Sequence, residues 1–176
     1  MALTKRDYIN YANQIAIKEG LDPAIFIAQL NQESGFNPKA KNPKSGAIGI
    51  AQFMPSTARG MGFTAGVDPL RDIRMAAQYM KSKLKMYNGD YRLALASYNA
   101  GSGNVAKYGG IPPFKETQND VNRIMSMAGQ GDVLTGGVEK QGFQTGAAST
   151  LNIPDPERPN YQPYITSQNS VAISNG

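Results

Sequence analysis

Apolar residues recur at steps of three and four through most of the first 128 positions, and the pattern breaks where Gly and Pro gather. Thr4 with Asp7 three residues on forms a weakened capping box and opens a first helix through about Glu19, before Gly20. Asp22-Pro23 pairs a cap acceptor with a ring pre-set for the first turn, predicting a second helix through about Ser34. The same opening returns at Asp68-Pro69. There Leu70, Ile73, Ala77, Met80 and Leu84 form one stripe that ends at Asn88-Gly89. "DYRLALASYNA" predicts another helix stopping at Gly101, and a last one spans Lys115 to about Met127. Between the second and third helices, Gly46 and Gly49 weaken any helix, while Ile48, Ile50 and Phe53 suit extended backbone. A small β-hairpin or extended loop is expected over Ser45 to Phe53, and Pro55 opens a short helix toward Arg59.

After Met127 the periodicity ends. Residues 129–176 hold seven Gly and four Pro and read as an extended tail or a segment that orders on a partner, with Phe143, Ile153, Tyr161, Tyr164 and Ile165 as contact points. The division is therefore a helical domain at 1–128 and a tail at 129–176.

Composition narrows the chemistry. The chain has no Cys and no His, which excludes disulfide frameworks, thiolate nucleophiles, Cys/His zinc sites and histidine triads. Acid–base work near neutral pH falls to Asp, Glu, Lys or Tyr. Residues 1–128 carry sixteen Lys+Arg against nine Asp+Glu, whereas 129–176 carry two against four. The basic body favours an anionic polymer, yet no Lys/Arg run interleaved with aromatics marks a nucleic-acid groove. No apolar run approaches a membrane span, and "MALTKRDYINYANQ" lacks the marks of a secretory signal, so delivery to an extracytoplasmic target is expected to depend on something else.

One residue breaks the pattern. At 100° per residue Phe26, Gln29, Leu30 and Glu33 share a face, which places a carboxyl on an apolar stripe just before Gly35 and Pro38. Two readings are open. In one, Glu33 is solvated at a frayed helix end or paired with a base such as Lys39. In the other, desolvation keeps its carboxyl protonated, assisted by the negative end of the helix dipole, as a general acid requires.

The context bears on the choice. "ESGFNP" (Glu33–Pro38), "GAIGIAQFMPSTA" (Gly46–Ala58) and "ALASYNAGSGNV" (Ala94–Val105) resemble, in order, the three signature blocks of the soluble lytic transglycosylases. The similarity runs over about residues 8–127. It implies a mainly α, lysozyme-like α+β fold and cleavage of peptidoglycan glycan strands, with no metal or organic cofactor. Carried over by position, it makes Glu33 the catalytic acid and puts Gln52, Phe53 and Met54 in the substrate cleft, with Tyr98 and Asn99 lining it. Asn99 also reads as a turn residue at a helix end. Gly46, Gly49 and Gly101 shape backbone.

Departures from the family stand at two positions. Ala51 replaces a larger Met, which would widen or soften the cleft floor. Asp120 replaces an aromatic, typically Tyr, that orients the acid. Either another group substitutes or activity is reduced, and Asp120 reads as a solvent-facing helix residue or as a second carboxylate. Asp68, Asp72 and Asp90 read as caps or exposed helix positions, leaving a single acid inside the blocks. That fits the chemistry the resemblance implies, in which Glu33 protonates the oxygen between N-acetylmuramic acid and N-acetylglucosamine. The same group then takes a proton from the muramic C6 hydroxyl, leaving a 1,6-anhydro end.

The missing signal and cysteines suit a bacteriophage protein carried in the virion, with the tail at 129–176 docking on virion or tail proteins. The alternatives are a lysis enzyme held in the host cytoplasm until a holin releases it, a hydrolytic lysozyme, and a structural component with degenerate activity.

Overall fold

The computed structural model describes residues 2–129, and the expected tail lies outside them. Seven helices follow in order: α1 (Lys5–Glu19), α2 (Pro23–Ser34), α3 (Pro55–Gly60), α4 (Pro69–Met86), α5 (Tyr91–Ala100), α6 (Ser102–Tyr108) and α7 (Lys115–Gly129). Their starts obey the chemistry of unpaired N–H groups. Asp22 accepts from Ala24 and Ile25 N–H, Asp68 from Leu70 and Arg71 N–H, and Asp90 from Leu93 N–H. Thr4 forms a full reciprocal box with Asp7 rather than a weakened one. Removing the hydroxyl with Thr4→Ala is expected to cost about 1 kcal/mol of stability, read as a lower urea midpoint at unchanged slope.

α1 packs on α2 and α4, α2 on α7, and α5 on α4, α6 and α7. Phe26, Leu30, Ile50, Leu70, Ile73 and Met80 fill the centre, each at most 1% exposed. The α2 stripe expected from its periodicity is thus buried, and it brings the end of α2 against α7. The described residues agree with the mainly helical, lysozyme-like expectation and contain no helix long and apolar enough to cross a membrane.

Two details differ from the sequence reading. The expected hairpin is reduced to isolated antiparallel bridges, Lys41 with Ile48 and Ile48 with Phe53. Turns consume the backbone that a strand ladder would need, as where Asn42 accepts from Gly46 N–H and donates to the Ala47 carbonyl. α6 was not anticipated. It is seven residues long and has only one buried side chain, Val105, so it carries no periodic signal.

Candidate active site

Glu33 sits in the last turn of α2, and Gly35 ends that helix at φ +62°, a left-handed cap. The following loop is tied back by the Ser34 hydroxyl, which donates to the Ile50 carbonyl at 2.7 Å. Gln52, at φ +50°, folds its side chain onto the loop and donates through Nε2 to the carbonyls of Gly49 (2.9 Å) and Ala40 (3.3 Å). These bonds frame a cleft of about 470 Å³ lined by Glu33, Gln52, and the loop residues Ala40 to Lys44.

Glu33 is half-buried, with protein packed around it and a window onto this cleft. Burial first, and the Asp120 carboxylate second, push its carboxyl up to about 8. No cation offsets that rise, so the alternative pairing with Lys39 is not the arrangement found. Opposite in sequence but adjacent in space, Tyr98 donates its hydroxyl to the Ala51 carbonyl at 3.2 Å. Burial, and then the negative field of Glu33, hold that phenol well above its usual range. Tyr98 stays protonated, and its proton is committed to the backbone.

Met54 is 41% exposed beside this loop, whereas Phe53 does not line the cleft as expected. Its side chain, 2% exposed, turns away from the cleft and packs on Phe63, Tyr79 and Tyr98 at centroid distances of 5.1, 5.9 and 6.1 Å. Phe53 therefore braces the wall from behind. Ala51 is fully buried, so its small side chain does not reach the cleft floor; what it presents to Tyr98 is its carbonyl.

Asn99 is more than a turn residue. Its Nδ2 donates to Asp120 at 2.9 Å, and its Oδ1 accepts from the Thr117 hydroxyl at 2.7 Å. Asp120 in turn accepts from Gln32 Nε2 at 3.0 Å. The expected solvent-facing Asp120 is instead half-buried between α2 and α5. Asp72 also departs from expectation. It is 1% exposed, accepts from Gly66 N–H at 2.9 Å, and is pushed by burial to about 7.

The sequence reading missed Gln32, Thr117, Tyr79 and Lys83. Tyr79 stacks edge-on against Tyr98 at 5.2 Å, and Lys83 Nζ lies 4.6 Å from the Tyr79 ring centroid and 2.7 Å from Ser102 Oγ. Thr117, Asp120 and Val121 recur at helical spacing on α7, a signal that marks an inward face but not its partners. No group of three or more acidic residues among the described residues is placed to hold a metal ion.

Residues 10–121 match the family described as the transglycosylase SLT domain. A transglycosylase of Enterobacteria phage PRD1 is 36% identical over 89 residues, which cover 51% of this chain and 32% of the relative. Membrane-bound lytic murein transglycosylase D of Escherichia coli (strain K12) is 42% identical over 81 residues, 43% of this chain and 18% of that protein. Among solved structures, the lytic transglycosylase Slt of Pseudomonas aeruginosa, described as an inactive glutamate-to-glutamine mutant, superposes with a TM-score of 0.62. That match has 28% identity and covers 70% of this chain and 24% of Slt. The chain thus spans no more than a third of the length of any of these three. With the signature blocks, the helical fold and the match over residues 10–121 in agreement, the chain belongs to the transglycosylase SLT domain family.

Proposed function

We propose that this chain cleaves the β-1,4 bond between N-acetylmuramic acid and N-acetylglucosamine in peptidoglycan, with Glu33 as its single acid–base group. The observation that carries the reading is a carboxyl held protonated up to about 8 on the wall of an open cleft. Such a group donates its proton to the departing glycosidic oxygen. Gln52 spends its N–H groups on the loop carbonyls, leaving its Oε1 to accept from a substrate N-acetyl amide. Tyr98 backs the site, its hydroxyl held by the Ala51 carbonyl and its ring packed on Phe53 and Tyr79. The names of the relatives, and the inactive glutamate-to-glutamine form of Slt, support the same reading.

Once Glu33 is a carboxylate, it takes the proton of the muramic C6 hydroxyl as that oxygen closes on C1. The new end is a 1,6-anhydro sugar, and the acid regains its starting state. Mass spectrometry of products from purified peptidoglycan is expected to show muropeptides one water lighter than hydrolysed ones. Products at the hydrolysed mass would assign the site to a lysozyme instead.

A role in local wall penetration by a phage particle is supported by the PRD1 relative. Detecting the chain in purified virions, by mass spectrometry of particle proteins, tests that role. Its absence from particles would favour release from the host cytoplasm.

A further inference from the structure

We infer that Asp120 is a positioning residue for Glu33: its carboxylate, gripped from α2 by Gln32 and from α5 by Asn99, fixes the place of the neighbouring acid and holds a negative charge near it. This rests on Glu33 being the acid proposed above. The geometry is a four-residue chain, Gln32 to Asp120 to Asn99 to Thr117, with links of 3.0, 2.9 and 2.7 Å. It ties together the three helices that carry the acid, the Tyr98 wall and Asp120 itself.

Each Asp120 oxygen faces one amide donor, Oδ1 toward Gln32 and Oδ2 toward Asn99. Charge-assisted bonds of this kind are stronger than neutral ones, and a neutral residue at 120 would not accept two amides equally. Gln32 directly precedes Glu33, so the grip fixes the turn of α2 that aims the acid into the cleft. The charge then acts through space. Among the described residues Asp120 is the one ionisable neighbour that raises Glu33, while Glu116 and Arg123 on α7 act on Asp120 with opposite signs. From α5 the ionisable group facing Glu33 is Tyr98, and the cleft loop adds the cations Lys41 and Lys44. With both oxygens engaged, Asp120 is poised to hold a neighbour rather than to activate a water.

Asp120→Asn tests this, because it keeps the shape and one acceptor but removes the charge. Titration of the Glu33 side-chain carboxyl by carbon-13 NMR needs no turnover, so it reads the inference even if the proposed reaction fails. The midpoint is expected to move to lower pH by about one unit, and the alkaline limb of kcat/KM with it. Asp120→Ala, which loses both acceptors, is expected to lower kcat about tenfold with KM within about twofold, as for a misaimed acid. A Glu33 midpoint unmoved in Asp120→Asn, beside a lowered melting temperature in both variants, would reduce Asp120 to a structural tie and overturn the inference. Loss of cleavage beyond a hundredfold in Asp120→Asn, with Glu33 titrating as in the parent, would make Asp120 a base in its own right and overturn it too. Failure of the proposed reaction shows elsewhere, as an inactive parent or an active Glu33→Gln.

Discussion

Replacing Glu33 by Gln is expected to slow glycan cleavage by about 10²–10⁴-fold, the range that a positioned general acid contributes. The amide keeps the size of the side chain and its place on α2 but has no proton of suitable acidity. Nothing else in the site supplies one, since the Tyr98 hydroxyl is given to Ala51 and Asp120 is held by two amides. In the parent, activity is expected to fall as pH rises through about 8, where Glu33 loses its proton, and any residual rate of the variant is expected to lack that limb. Stability falls over the same range. The folded carboxyl binds its proton more tightly than the unfolded one, whose value is near 4.5. The stability this contributes is complete below that value and is lost as pH rises toward 8. Buried Asp72, raised from 3.8 to about 7, behaves alike. At pH 8 Glu33→Gln is therefore expected to melt above the parent while cleaving far more slowly. A variant that digests peptidoglycan at the parental rate would end the assignment of Glu33.

Gly49→Ala is expected to produce a large loss of stability. Gly49 lies at φ +81°, and a methyl there would collide with Asp72 Oδ2 and come within 3.0 Å of the Gly66 Cα. The left-handed backbone costs about 1–2 kcal/mol and the overpacking about 1–3, for a total of about 2–5 kcal/mol. Against a domain stability of about 5–15 kcal/mol, that is enough to unfold much of the protein at moderate urea. Gly46 supplies the comparison. Its φ is +78°, but a methyl there meets nothing within 4 Å, so Gly46→Ala is expected to cost only the backbone part. Urea titrations of the two variants isolate the collision, and equal midpoints would show that Asp72 and Gly66 yield freely. Because Gln52 hangs from the Gly49 carbonyl, the Gly49 variant is also expected to bind glycan more weakly.

How much of this was legible in the chain depended on whether a residue's partner was near in sequence. The starts of α2, α4 and α5 were readable because Asp22, Asp68 and Asp90 bond to amides two or three residues on. The position of Glu33 followed from helical geometry, and its company from the signature blocks. Phe53 was carried into the cleft by the resemblance, which does not say which way its side chain faces, and the positive φ of Gln52 rotates the register just before it. Asp120 was misread for a different reason. Its partners Gln32 and Asn99 lie 88 and 21 residues away, and only the packing of α7 on α2 and α5 brings them together. Asp72 followed the same rule, since the Gly66 amide it holds lies in a loop with no pattern of its own.

Lys41 and Lys44 rim the opening that Glu33 looks through. Toward an anionic matrix such a rim attracts over roughly a Debye length, near 8 Å at physiological salt. Dilute brine would then tighten such attachment, while concentrated brine would loosen it.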